Sequence, residues 1–196
     1  MGDTLAFSAG YVFLERKSPE VDINLLRDRL LKISGVKLVH ALIGDYDLIC
    51  YLDCGDSRDF RLTLDSGIGA LKDQGFLEHY DTKLIFQETG RGYSGVENRS
   101  AEEAVWLLCR SKAGDPMQLV NDLVAIEGVK NAHAVIGGPD VIAYVEASSR
   151  DVMIDILANH VAQCKTLRKL EVYPVFMKVA DTTAYIDENS EVTGRF

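Results

Sequence analysis

The chain has 196 residues, with 21 Lys and Arg against 30 Asp and Glu for a formal net charge of -9, 47% hydrophobic residues and 4 prolines. This composition excludes a disordered or fibrous chain, and the negative balance speaks against direct nucleic-acid binding, which needs clustered Lys and Arg to release counterions. Cys50, Cys54, Cys109 and Cys164 never fall in a CxxC pair, so buried thiols in a reducing cytoplasm are expected rather than zinc or disulfides, and neither a run of 18 apolar residues nor a basic leader suggests a membrane span or export.

In chain order, residues 6–16 centre on Tyr11, Val12, Phe13 and Leu14 and read as a strand. Asp22 can cap a helix whose apolar positions Ile23, Leu26, Leu30 and Ile33 share one face, and Gly35 ends it. Two apolar runs, 36–43 and 47–53, are split by Gly44, Asp45 and Tyr46, a spacing that forces a hairpin. A second helix is predicted over about 57–72 and a last strand over about 80–88. Gly90, Gly92 and Gly95 among polar residues then mark a linker.

The same order then recurs. A shift of 93 positions makes ten of the 17 pairs between 35 and 51 identical, among them Gly35/Gly128, His40/His133, Gly44/Gly137, Asp47/Asp140 and Tyr51/Tyr144, where chance gives about one at ~6% per site. The match extends upstream through Val12/Val105 and Leu14/Leu107, and downstream Ser57–Asp59 meets Ser149–Asp151 after a one-residue slip. In the second copy Asp115 and Pro116 open the first helix, strands follow over 129–136 and 140–147, then a helix over 149–163 and a strand over 168–178, where Pro174 requires an edge or a bulge. The chain therefore divides into a first unit over 1–88, a linker over 89–101, a second unit over 102–178 and a tail over 179–196.

Strand, helix, strand, strand, helix, strand is the ferredoxin-like βαββαβ unit of the α+β class. In the strand after the first helix, both Val39, Ala41, Ile43 and the opposite set Leu38, His40, Leu42 are largely apolar, so the face away from the helices must be covered. Two units on one chain are expected to cover each other as an intramolecular dimeric α+β barrel.

The run from Ser34 to Ile49, with its helix-ending Gly-Val, strand, and Gly44-Asp45-Tyr46-Asp47-Leu48 hairpin, strongly resembles the effector domain of the leucine-responsive/AsnC family of regulators (the RAM domain). The second unit keeps Gly137 and Asp140 but has Gly138 and Pro139 where the pattern has Asp and Tyr. The resemblance implies a sensor that binds amino acids or related small metabolites between dimers, with Gly44, Asp45, Tyr46, Asp47, Gly137 and Asp140 lining the site. It also implies stacked homo-oligomers, here dimers to tetramers of chains. The flanks leave no room for the family's helix-turn-helix, which points to action through oligomerisation or a DNA-binding relative. The expectation is a cytoplasmic, non-enzymatic module without cofactor or metal.

The hairpin chemistry is consistent with that implication, since a zwitterion needs backbone N–H groups for its carboxylate and an acceptor for its ammonium. The competing reading is structural: Gly44 supplies positive φ and Asp47 bonds the turn backbone. A second functional class is an enzyme of the dimeric α+β barrel type, of small monooxygenase or isomerase kind, with His40 and His133 in the barrel interior. No carboxylate lies at i±2 of either histidine, which favours packing histidines. The basic groups Arg27, Arg29, Lys32 and Lys165, Arg168, Lys169 read as solvated surface.

Overall fold

The computed structural model describes residues 7–86, 101–112 and 115–177; the linker expected at 89–101, apart from Ala101, and the tail at 179–196 lie outside them. The first run of elements is β1 (Ala9–Arg16), α1 (Ile23–Leu30), β2 (Val36–Leu42), β3 (Leu48–Asp53), α2 (Ser57–Leu62), α3 (Gly69–Asp73) and β4 (Leu77–Ile85). The second is β5 (Glu103–Ser111), α4 (Pro116–Val124), β6 (Val129–Ile136), β7 (Val141–Ala147), α5 (Arg150–Asp155) and β8 (Leu167–Met177). A π-helical turn over Thr63–Ile68 joins α2 to α3, and another over Ile156–Val161 continues α5.

The helices start where side chains satisfy orphan amides. Asp22 accepts from the Asn24 N–H, and Asp115 accepts from those of Met117 and Gln118, each cap worth about 1 kcal/mol. Asp56 and Ser149 do the same for α2 and α5. These two caps stand 93 apart, so the one-residue slip expected between Ser57 and Ser149 does not occur: Ser149 takes the capping role of Asp56, because either side chain can accept an amide N–H.

The eight strands close into one antiparallel barrel in the order β1-β3-β2-β8-β5-β7-β6-β4. Each unit contributes a four-stranded ferredoxin-like sheet, and the units meet edge to edge at two short seams. At one, Ala41 and Leu42 pair with Met177 and Val175 across a bulge; at the other, Leu84 and Ile85 pair with Ile136 and Val135. Pro174 lies where the β2 seam begins, and its carbonyl accepts from the Ile43 N–H at 2.9 Å, so its lack of an N–H falls at a bulged junction.

Strand alternation sorts the apolar residues into three cores. Val12, Leu14, Val39, Ala41, Leu48 and Cys50 pack with Leu26 and Leu30 of α1, and Leu107, Cys109, Ala132, Ala134 and Ala143 pack with Leu119 and Leu123 of α4. The opposite faces meet inside the barrel, where Tyr11, Phe13, Leu38, Ile49, Trp106, Leu108, Ile142 and Tyr144 form one cluster. At about 1.5–3 kcal/mol per fully buried large side chain, this shared interior is what holds the units together.

The strand register corrects the two upstream pairings, Val12/Val105 and Leu14/Leu107. Tyr11 lies opposite Tyr51 and Trp106 opposite Tyr144, so Trp106 takes the place of Tyr11 and Leu107 that of Val12, an offset of 95 rather than 93. The loop from Arg16 to Asp22 is two residues longer than that from Ser111 to Asp115. Alternating apolar residues look alike at either offset, and the extra turn absorbs the difference.

Candidate functional site

The β2–β3 hairpin turns at Gly44, whose φ is +150°, and the β6–β7 hairpin at Gly137, whose φ is +90°. Both turns are anchored the same way. Asp47 accepts hydrogen bonds from the Arg16 backbone N–H at 2.7 Å and the Arg16 Nε at 2.9 Å, and pairs with Arg16 Nη2 at 2.8 Å. Asp140 accepts from the Ser111 backbone N–H at 2.8 Å and from its hydroxyl at 3.3 Å. Both carboxylates thus tie a hairpin to the end of β1 or β5. Asp45 and Tyr46 point elsewhere.

Closure of the barrel brings the two hairpins to one cleft of about 210 Å³. The first hairpin contributes Asp45 and Tyr46, and the second contributes Gly138 and Pro139. Phe13 and Leu108 also line the cleft, as do Asp81 and Lys83 of β4, Arg110 of β5, and Lys169, Glu171 and Tyr173 of β8. The Tyr46 ring packs 5.0 Å from Phe13 and 6.1 Å from Tyr173. Tyr173 in turn covers Gly44, where a Cβ would stand 2.8 Å from its ring.

The electrostatics of the cleft are mixed. Lys83 pairs with Asp81 at 2.5 Å, and Lys169 with Glu171 at 2.5 Å. Burial, followed by the charges of Asp81 and Asp45, raises the Tyr46 phenol above its ordinary value; burial and Glu171 do the same for Tyr173. Both hydroxyls therefore remain O–H donors at neutral pH and above. Of the residues expected at the site, Asp45 and Tyr46 line the cleft, whereas Gly44, Gly137, Asp47 and Asp140 shape and anchor the two turns without lining it. Lys83, Arg110, Glu171 and Tyr173 were not foreseen, and Lys169, expected as solvated surface, lines the cleft.

The barrel interior has its own polar pairs. The indole N–H of Trp106 donates to His40 Nδ1 at 3.1 Å, and the Tyr11 hydroxyl and His133 Nδ1 are joined at 2.6 Å. Because Tyr11 and Trp106 are equivalent positions, these are two versions of one contact, each histidine reaching an aromatic residue of the other unit. Burial pulls the His133 pKa down to about 4. Its ring stacks on Tyr51 at 6.4 Å, while His40 lies 5.3 Å from Tyr144. No group of three or more metal-capable His, Cys, Asp or Glu residues occurs among the described residues.

Two further cavities open beside the second helix of each unit. One, of about 640 Å³, is lined by Gly35, Lys37, Asp53, Cys54 and Thr63; the other, of about 370 Å³, by Gly128, Lys130, Glu146, Ile156 and His160. Burial raises the Cys54 thiol, so it is not an activated nucleophile.

No protein-family model and no curated protein matches the sequence. Among solved structures, an anthrone oxidase-like protein superposes with a TM-score of 0.55 at 8% identity, over 93% of this chain and 96% of that one. The siroheme decarboxylase NirDL superposes with a TM-score of 0.51 at 11% identity, over 88% of this chain and 72% of that one. These likenesses show the fold, a dimeric α+β barrel spanning both units. Proteins of the Lrp/AsnC family are also among the structural neighbours: AsnC of E. coli aligns at 13% identity over 59% of this chain and 72% of its own, with a TM-score of 0.39, too loose a match to carry an argument. No helix among the described residues is long and apolar enough to cross a membrane.

Proposed function

We propose that this chain is a non-enzymatic, cytoplasmic sensing module that binds an amino acid or related small metabolite in the cleft between its two hairpins. The observation that carries this reading is the convergence of both hairpins, two tyrosines and charges of both signs on one small concavity. In an unfused barrel each hairpin would come from a separate subunit; here a single chain supplies both walls. Ligand occupancy would brace the hairpins against β4 and β8 and so alter the surface offered to a second copy or to a DNA-binding relative. The barrel-enzyme reading has less support, because the interior around His40 and His133 is filled by Tyr11, Tyr51, Trp106 and Tyr144 and both Nδ1 atoms are already bonded.

Calorimetry over the proteinogenic amino acids and their keto acids tests the reading. Binding of at least one compound, weakened in a Tyr46→Ala variant that retains its fold, is the expected result. A folded chain that binds none of them rejects it. Light scattering with and without the bound compound then reports whether occupancy shifts the chain among monomer, dimer and tetramer.

A further inference from the structure

Duplication would make the cleft symmetric, with each charge present twice. The structural equivalences show that it is not. Asp45 is matched by Gly138, Tyr46 by Pro139, Lys83 by Tyr173 and Glu15 by Arg110, following the offsets of the strands concerned. Only the acidic position Asp81/Glu171 is kept.

The charges fall into two classes. Lys83 and Lys169 are each neutralised by a carboxylate two residues away on the same strand. The Arg110 guanidinium and the Asp45 carboxylate have no ion-pair partner among the described residues and do not pair with each other, although both line the same cleft. Arg110 lies over Gly138, where a Cβ would come within 3.0 Å of its Nη2; the glycine lets the guanidinium lie down on the second hairpin while Asp45 extends from the first. One unspent positive charge and one unspent negative charge, on opposite walls, are complementary to a molecule carrying both. The volume, about 210 Å³, falls below the roughly 300–1,000 Å³ of drug-sized ligand sites and so selects a small one.

Building on the function proposed above, we infer that the cleft takes one small zwitterion per chain in a single orientation, its carboxylate on Arg110 and its ammonium on Asp45. Arg110 can hold the carboxylate through two N–H donors, a bidentate geometry that a lysine cannot reproduce. The Tyr46 and Tyr173 rings, 6.1 Å apart, line the same cleft. The direction follows from the divergence of the two halves: a symmetric ancestor would hold two ligands or one in two orientations, whereas this chain has a positive and a negative wall.

The test uses the full chain and five probes followed by NMR and calorimetry: glycine, β-alanine and γ-aminobutyrate, which separate the two charges by increasing distances, with acetate and methylammonium as single-charge controls. One zwitterion is expected to bind with one-to-one stoichiometry, at least tenfold tighter than either control, and to shift the Tyr46 and Tyr173 ring resonances. Arg110→Gln should weaken the zwitterion at least tenfold and abolish the acetate response while leaving the methylammonium response intact; Asp45→Asn should do the reverse. Both side chains are exposed, so both variants should fold. A zwitterion that shifts the tyrosines but is indifferent to either substitution, or that binds at two per chain, overturns the orientation and leaves the cleft as the ligand seat. If neither these probes nor any amino acid or keto acid moves the tyrosines, both the orientation and the seat are lost.

Discussion

At the scale of single residues, identical side chains in the two halves turn out to do structural work, and divergent ones gather at the cleft. Asp47 and Asp140 are identical because each tethers a hairpin to the preceding strand end. Charge-assisted hydrogen bonds of this kind contribute about 1.5–3 kcal/mol. Asp47→Ala is therefore expected to lower unfolding free energy by about 2 kcal/mol in chemical denaturation, and Asp140→Ala by somewhat less, since its partner Ser111 is neutral. His133 gives a pH prediction. The unfolded chain takes up the proton near the ordinary value of 6.5 and the folded chain only near 4, so between these values the unfolded state binds more protons. Stability should thus fall as pH drops from 6.5 to 4, by about 3 kcal/mol in total from this group. His133→Gln should flatten that part of the profile relative to the parent chain in urea titrations at pH 4, 5, 6 and 7; parallel profiles would contradict the assignment.

At the scale of elements, the strands, the first helix of each unit and the hairpins were legible because each carries a local signal: an Asp cap, a glycine stop, an alternating run. The second helix was legible only as a helix. Its π-helical turn recurs at Thr63 and Ile156, 93 residues apart, yet one inserted residue leaves too faint a mark on so short an apolar pattern. The turn at Gly44 was readable from its glycine, but the reason for it was not. The tight approach of Tyr173 comes from a strand 129 positions later, and only closure of the barrel creates it. Gly44→Ala faces both a positive φ and a Cβ 2.8 Å from that ring. A cost of about 1–3 kcal/mol is expected, with upfield or downfield displacement of the Tyr173 ring signals. Gly55→Ala, where φ is also positive but a Cβ would meet nothing within 4 Å, separates backbone strain from the clash.

At the scale of the molecule, the same distinction explains what the sequence hid at the cleft. Asp81 and Lys83 come from β4 of the first unit, Arg110 and Glu171 from the paired strands β5 and β8 of the second, so these charges share a cleft only once the barrel closes, and each closing seam rests on only a few paired residues. A charged pair two residues apart on a strand, as in Asp81/Lys83 and Lys169/Glu171, was the one local hint, since it places both charges on the same face.

The seams themselves are too short to hold the units together, which leaves that work to the interior cluster. This has a measurable consequence. Trp106 is the only tryptophan of the chain, fully buried, and its indole N–H reaches His40 of the other unit. Its fluorescence therefore reports the contact between units, while far-UV circular dichroism reports the helices and strands within each. If the shared interior dominates, neither unit keeps its sheet once the other leaves, and the two signals should follow one coincident transition in urea. Trp106→Phe keeps most of the apolar volume but removes the indole N–H that donates to His40 Nδ1. It should lower stability by about 1–3 kcal/mol and, read by circular dichroism, keep a single transition. A fluorescence change that precedes loss of secondary structure would mean that the units separate before they unfold, and that each ferredoxin-like half is stable with its aromatic face open.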